Sequence, residues 1–337
     1  MDKINIAVLM GGKSAEREVS LSTGKMILGA LDKRKYNAIA VDAGFFGTNG
    51  IVSMDNTEQD LPPEMLPLDY IVNPLESQPK PDVVFIALHG RFGEDGTVQG
   101  LLELLGIPYV GSGVLASALA MDKIMARKVM QYEGVPVPGG IAVRRPVNEK
   151  SLKNQVEQGM GFPVVVKPNR EGSTIGISIA RSISELSVAL GTAFSHDEDV
   201  LIEEFVEGIE ITGAVLGNTE LQVLPLVEIV PASGFYDYHS KYTPGATEEI
   251  VPARIPGKPN RYAQELALVC HRILGCRGMS RTDMIVRDND VYVLEVNTIP
   301  GMTTTSLLPR AALAAGIGFP KLLDMLIGFA LEGVQSS

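Results

Sequence analysis

In the first third of the chain, short apolar runs closed by glycine or a polar break alternate with stretches of helical apolar spacing. Ile4–Met10 is such a run, ended by Gly11-Gly12, and Ala38–Val41, Asp82–Leu88 and Pro108–Val110 are others. Between them, Ser20–Leu31 carries Leu21, Met26, Leu28 and Leu31 at helical spacing, and Thr97–Leu105 reads the same way. The runs predict buried strands and the periodic stretches amphipathic helices. Strands joined through helices pair in parallel, so residues 1–121 are expected to form an α/β domain on a doubly wound parallel sheet. Ligands on such sheets sit beyond the carboxyl ends of the strands, where Gly11 and His89 fall.

The pattern changes after Asp122. Lys123–Glu133 reads as a helix stopped by VPVPGG, Pro163–Pro168 and Ile175–Ala180 as strands around the loop 169–174, Ser184–Phe194 as a helix, and Val200–Phe205 as a strand with paired glutamates at its end. Further on, Ile211–Leu216 and Gln222–Ile229 are expected as strands, Pro259–Leu274 as a helix, Arg281–Val296 as a hairpin and Pro320–Leu331 as a closing helix. The expected division is therefore 1–121, 122–208 and 209–337. Residues 44–81, rich in Gly, Pro, Asn and Asp, read as loops with short elements. Residues 231–250 read as one polar loop, of a length that is uncommon unless functional or disordered.

The hairpin carries the sharpest local chemistry. Asp288-Asn289-Asp290 is a turn signal between two runs of strand formers. Centred on Asn289, the hairpin sets Arg281 opposite Asn297, Asp283 opposite Glu295 and Met284 opposite Leu294. Side chains alternate faces along a strand, so Arg281, Asp283, Glu295 and Asn297 share one face. Thr282, Met284, Val286, Tyr292, Leu294 and Val296 share the other. Two carboxylates facing across a ladder repel unless a cation or a proton lies between them. The face is either a solvated one or an oxygen-donor site suited to Mg²⁺.

Lys167 closes the apolar run Pro163–Val166, and NREGST (169–174) follows it. That loop is either an ordinary surface loop or a cradle of backbone N–H groups and hydroxyls for phosphate. The chain has no G-x-x-x-x-G-K-[ST] phosphate loop. A G-x-G-x-x-A match at Gly111–Ala116 lies outside the first βαβ unit, and Glu133 precedes a strand-like run instead of ending one, which speaks against a dinucleotide site.

Composition narrows the classes. Over 337 residues, 40 acidic residues stand against 29 Lys and Arg, a net charge of -11. A duplex-binding surface needs clustered cations, so no nucleic-acid partner is expected. Cys270 and Cys276 cannot frame a disulfide scaffold, and Cys270-His271 with Cys276 lacks zinc spacing. With no secretory signal pattern at the start and no apolar run long enough to span a bilayer, a cytoplasmic protein without membrane attachment is expected.

Four blocks together carry a resemblance: MGGKSAEREVS (10–20), HGRFGEDGTVQG (89–100), VKPNREGST (166–174) and LEVNTIPGMTTTS (294–306). On these the chain resembles the D-alanine–D-alanine ligases of the ATP-grasp superfamily, from Val8 to about Pro309. The resemblance implies an N-terminal doubly wound domain followed by a two-subdomain ATP-grasp fold, α+β in character, with 231–250 as its lid. It implies ATP-dependent joining of two D-alanine molecules through an acyl phosphate, with release of ADP and phosphate, for peptidoglycan precursors. Mg²⁺ or Mn²⁺, two ions per site, would serve the reaction, and the enzyme would be a homodimer.

Carried over residue by residue, the resemblance makes Asp283, Glu295 and Asn297 the metal ligands. Lys123, Lys167 and Lys241 become phosphate contacts, Glu203 and Glu210 contacts to adenine and ribose, and Phe205 and Val206 the purine lining. Glu16 holds the ammonium of the first D-alanine with His89 nearby, Arg281 and the Gly301 backbone stabilise the oxyanion, and Ser306 and Leu307 take the second carboxylate. Ser173 and Tyr242 form a hydrogen-bonded set with Glu16. Three departures from the family pattern are Thr282 in place of a small apolar residue, Phe205 in place of the tryptophan of some members, and Glu204 where some have lysine. Two alternatives follow: a depsipeptide ligase joining D-alanine to D-lactate, whose members usually have Phe at the position of Tyr242, and a non-catalytic nucleotide binder on the same fold. Glu94-Asp95, among glycines, reads as a turn.

Overall fold

The computed structural model describes residues 3–44, 65–73, 80–232, 243, 245–303 and 305–332, apart from the side chain of Glu149. The first sheet is built from β1 (Ile4–Met10), α1 (Arg17–Ala30), β2 (Tyr36–Asp42), β3 (Leu66–Pro67), α2 (Asp69–Val72), β4 (Val83–Ile86), α3 (Thr97–Leu104), β5 (Tyr109–Val110) and α4 (Val114–Met121). Its strands run in the order β3-β2-β1-β4-β5, all in parallel. Ile6 to Met10 and Val83 to Ile86 are buried without alternation, as strands covered on both faces must be. Successive strands leave β1 first on one side, to β2, and then on the other, to β4. That reversal opens a crevice past the ends of β1 and β4, and it brings Gly11-Gly12 and His89-Gly90 to its rim. Of the 44–81 excursion, β3 and α2 are the described elements besides the flanks; the rest lies outside the described residues.

The second body comprises α5 (Lys123–Tyr132), β6 (Gly140–Arg144), α6 (Glu149–Gly159), β7 (Val164–Pro168), β8 (Ser178–Ala180), α7 (Ile183–Ala193) and β9 (Asp199–Glu204). Its antiparallel sheet has the order β6-β9-β7-β8. Leu152, Val156, Val164, Val166, Leu186, Leu190, Val200 and Ile202 form a core of their own beneath α6 and α7. The strand expected from Ile175 begins only at Ser178, because 169–177 turns through Ser173 and Thr174, both in the left-handed region.

The third part holds β10 (Ile209–Gly217), β11 (Gln222–Val223), β12 (Val227–Pro231), β13 (Thr247–Ile250), α8 (Gly257–Ile273), β14 (Gly278–Arg287), β15 (Asp290–Asn297), α9 (Leu307–Ala314) and α10 (Phe319–Glu332). The sheet runs β13-β12-β10-β14-β15, with β11 on β10. Two expectations are corrected. Gln222–Ile229 is two strands, not one, interrupted around Pro225, which has no N–H to give a ladder. The end of the 231–250 loop is strand: Thr247 to Ile250 pair with Glu228–Pro231; residues 233–242 and 244 lie outside the described residues. Packing crosses the divisions drawn from sequence. Ala126 and Met130 of α5 join the core under α8, and Leu322, Leu323, Leu326 and Ile327 of α10 join the core of the first sheet. Among the described residues no single helix is long and apolar enough to cross a membrane.

Candidate active site

The β14–β15 ladder sets Arg281 opposite Asn297 and Asp283 opposite Glu295, the pairs expected, although the turn is Asp288-Asn289 and not centred on Asn289. Below Asp283 the register shifts by one. Met284 faces Val293, Ile285 faces Tyr292 and Arg287 faces Asp290 around a two-residue turn. The bulge corrects the expected apolar face. Leu294 does not oppose Met284, and Tyr292 and Leu294 lie with Ile285 instead of in the core, where Val291, Val293 and Val296 are buried. A bulge adds one residue to one strand and so exchanges the faces beyond it.

Arg281 and Asp283 lie two apart on one strand, and their side chains join. Arg281 donates from Nε to Asp283 Oδ1 at 2.9 Å and from Nη2 to Oδ2 at 2.8 Å. Thr212 Oγ1 on β10 donates to Asp283 Oδ1 at 2.6 Å. Thr282 faces the opposite way and is fully buried. The Asn297 side-chain carbonyl accepts from the Ile299 N–H at 3.1 Å. Lys123 Nζ, at the start of α5, stands 3.7 Å from Glu295 Oε2 and donates to the Glu171 carbonyl at 2.6 Å.

Two cavities meet at Glu295. The first, about 350 Å³, lies between the second and third sheets and is lined by Val165, Lys167, Ile177, Glu203, Phe205, Val206, Glu210, Asp283, Ile285 and Leu294. Every residue expected to contact nucleotide lines it except Lys123, which lines the neighbouring cavity, and Lys241, which lies outside the described residues. In its wall Glu203 pairs with two cations: Lys167 Nζ stands 2.6 Å from its Oε2, and Arg127 Nη1 donates to its Oε1 at 2.9 Å. Burial would lower the Lys167 pKa, but the Glu203 and Glu295 carboxylates together outweigh it and the net shift is upward, so Lys167 stays an ammonium. Arg127 was not foreseen, since its partner is distant in sequence.

The second cavity, about 120 Å³, opens at the crevice of the first sheet. Glu16, His89, Lys123, Gly172, Ser173, Arg281, Glu295, Asn297, Gly301, Ser306 and Leu307 all line it. Glu16 stands at the N-cap position of α1 without a side-chain capping bond, and Ser173 donates to its Oε1. Gly172 allows the approach: a Cβ there would lie 2.6 Å from Glu16 Oε2. Ser173 (φ 47°) and Thr174 (φ 65°) hold left-handed backbone that non-glycine residues rarely adopt, a strain typical of ligand loops. His89 Nε2 bonds Thr23 Oγ1 at 3.1 Å; burial, with help from the Arg281 cation, pushes its pKa down to about 4, so the ring is neutral. Ser306 precedes α9, and the N-terminus of a helix favours a negative charge. Its Oγ accepts from the Thr303 N–H at 2.9 Å. Tyr242, expected beside Glu16, lies outside the described residues.

Glu94, in the turn expected of it, lines this cavity too. Its Oε2 accepts from the Gly90 N–H at 2.6 Å, and burial together with the Glu16 charge raises its pKa well above the carboxylate range. Its place after a strand ending at a sheet crevice was the available signal.

A nucleotide-sized slot between two antiparallel sheets, continuous with a cleft whose groups suit small amino acids, defines an ATP-grasp ligase. Comparison with known proteins carries this further. The D-ala D-ala ligase N-terminus model matches residues 5–112 and the D-ala D-ala ligase C-terminus model residues 129–328. The chain is 49% identical over 334 residues to the D-alanine–D-alanine ligase of Syntrophobacter fumaroxidans, covering 98% of this chain and 99% of the relative. Among solved structures, the D-alanine–D-alanine ligase of Bacillus anthracis complexed with ATP superposes with a TM-score of 0.79 at 37% identity, over 99% of each chain. The VanG D-Ala:D-Ser ligase of Enterococcus faecalis gives 0.80 at 34% identity, over 98% of this chain and all of the other (100%). The chain belongs to the D-alanine–D-alanine ligase family.

Proposed function

We propose that the chain joins two D-alanine molecules into D-alanyl-D-alanine at the expense of ATP, releasing ADP and phosphate, in the synthesis of peptidoglycan precursors. The observation that carries this is the meeting of the two cavities at Glu295, with nucleotide-facing groups on one side and Glu16, Arg281 and Ser306 on the other. A carboxylate resists attack by an amine because oxide is a poor leaving group. Transfer of the terminal phosphoryl group to the first D-alanine makes an acyl phosphate, and the second D-alanine's amine displaces phosphate from it.

In this reading Glu203 and Glu210 meet adenine and ribose, Phe205 and Val206 line the purine, and Lys123, Lys167 and Lys241 meet the phosphates. Glu16, supported by Ser173 and Tyr242, holds the first ammonium, with His89 beside it. Ser306 and Leu307 receive the second carboxylate. Arg281 and the Gly301 N–H stabilise the oxyanion of the tetrahedral intermediate, the kind of preorganised donor that supplies a large catalytic share. Domain divisions at 121 and 208 and a homodimeric assembly, measurable by sedimentation, are part of this reading.

Among the described residues no group of three or more His, Cys, Asp or Glu side chains stands ready for a metal. The donor chemistry nevertheless suits one. Asp283 and Glu295 face each other with the Asn297 oxygen on the same face, and nucleotide phosphates supply further oxygens. Asp283, Glu295 and Asn297 would hold Mg²⁺ or Mn²⁺, two ions per site, whose charge offsets that of the phosphates when bound.

The test is phosphate release by the full chain with ATP, Mg²⁺ and either alanine enantiomer, with the product read by mass. D-alanine-dependent release with dipeptide formation is expected. No release, or equal release with L-alanine, refutes the reading. Running D-serine and D-lactate beside D-alanine separates the dipeptide activity from the alternatives at the second site.

A further inference from the structure

Glu16 reaches the substrate cavity from a turn, residues 11–16, that belongs to neither β1 nor α1. Such a turn does not hold a carboxylate still by itself. It is fastened on one side by Ser14, whose hydroxyl donates to the His89 carbonyl at 2.7 Å and accepts from the Glu16 N–H at 3.2 Å.

The other fastening is an ion pair outside the cavity. Arg17, next to Glu16, donates from Nη2 to Asp42 Oδ2 at 2.7 Å, and from Nη1 to Asp42 Oδ1 and to the Gly12 carbonyl, both at 3.0 Å. Asp42 ends β2 and is completely buried. Its Oδ1 also accepts from the Gly12 N–H at 3.2 Å and the Gly44 N–H at 2.7 Å. The group fits closely: a Cβ on Gly11, at φ 73°, would stand 2.4 Å from Asp42 Oδ1 and 2.7 Å from Arg17 Nη1. A buried carboxylate is tolerated only when paired and hydrogen-bonded, so this cluster has one arrangement rather than several. Neither Arg17 nor Asp42 lines the substrate cavity.

We propose that Arg17 and Asp42 are positioning residues: they lock the 11–16 turn to the end of β2 and thereby set where Glu16 meets the ammonium of the first amino acid. This rests on the functional reading above. The clamp fixes one side of one substrate, so it bears on first-site affinity and leaves the nucleotide slot alone.

The test is steady-state kinetics of the full chain carrying Asp42→Asn, Arg17→Lys or Arg17→Met, with ATP and D-alanine varied separately. Asparagine's amide nitrogen cannot accept, so Asp42→Asn strands a donor of the cluster. The expected result is a rise in KM for the first D-alanine on the order of tenfold, the cost of a displaced charge-assisted hydrogen bond. KM for ATP should stay within about twofold, because the clamp leaves the nucleotide slot alone; uniform loss of folded enzyme would instead lower apparent kcat and leave every KM unchanged. Arg17→Lys should fall between wild type and Arg17→Met, since an ammonium meets one carboxylate oxygen but not both. If Asp42→Asn does not fold, the two variants of the partly exposed Arg17 carry the test. A fall in kcat with every KM unchanged, or no change at all, overturns the clamp. A wild-type chain without D-alanine-dependent phosphate release fails the functional reading itself, and the clamp with it, whereas an active wild type matched by its variants overturns the clamp alone.

Discussion

Asp283 faces Glu295 across the β14–β15 ladder because of the bulge immediately beyond Asp283: the register set at the turn would otherwise bring Leu294 opposite it, and the bulge instead leaves Leu294 lining the nucleotide slot. One irregularity thus lets a single hairpin serve both cavities. The proposed metal ligands are held on strands rather than loops, and Asp283 is further fixed by Thr212 and Arg281.

Glu295→Gln keeps the size of the side chain and removes its charge. It should reduce turnover by about a hundredfold or more, the usual cost of deleting a group that acts on developing charge. The circular dichroism spectrum should be unchanged. Near-normal turnover at ordinary Mg²⁺ would show that Glu295 is not a ligand.

Gly172→Ala places a methyl carbon 2.6 Å from Glu16 Oε2, closer than the two can stand. Either the loop or Glu16 must give way. We expect KM for the first D-alanine to rise by about tenfold to a hundredfold, in keeping with the cost of small misplacements near reacting groups. An unchanged KM would mean that the 170–174 loop does not seat Glu16 during catalysis.

His89 and His271 are both buried, and burial pushes each down to about 4. Unfolded, each takes up a proton near the ordinary histidine value of about 6.5. The folded state resists protonation, so the stability these rings contribute is present above about pH 6.5 and is lost as pH falls toward 4. His271 lies away from the cavities, with Nδ1 2.7 Å from Ser280 Oγ. Urea midpoints at pH 7.5 and 4.5 should therefore differ less in His271→Gln than in the unsubstituted chain; equal differences in the two proteins would contradict this.

Tyr242→Phe removes a hydroxyl from the residue on which the dipeptide and depsipeptide alternatives divide. The ester-to-amide product ratio with equimolar D-lactate and D-alanine should rise by about tenfold, the scale of one lost hydrogen bond at a specificity site. A constant ratio would remove Tyr242 from that role.

What local pattern could determine, it did. The runs at Ile4–Met10 and Asp82–Leu88 gave buried parallel strands, because continuous apolar sequence is stable only where both faces are covered. Alternation on 281–283 and 295–297 set four chemical groups on one face, since side-chain direction repeats every two residues. The same logic failed at Leu294, where a bulge, which alternation does not encode, shifted the count by one. Likewise Glu228–Pro231 and Thr247–Ile250 pair across a segment whose composition reads as loop, because pairing depends on what lies alongside.

The sequence by itself determined the alternation of strands and helices in the first sheet, the charged face of the hairpin and, through four motif blocks, the family resemblance. Only the tertiary structure decided which distant groups meet: Ser173 with Glu16, Glu203 between Lys167 and Arg127, Glu94 in the substrate cleft, Asp42 beneath Arg17. The physical reason is that periodicity records only whether a side chain faces inward. Its partner there is chosen by strand order and by the burial of charge, which is tolerated only where a counter-charge arrives from elsewhere in the chain.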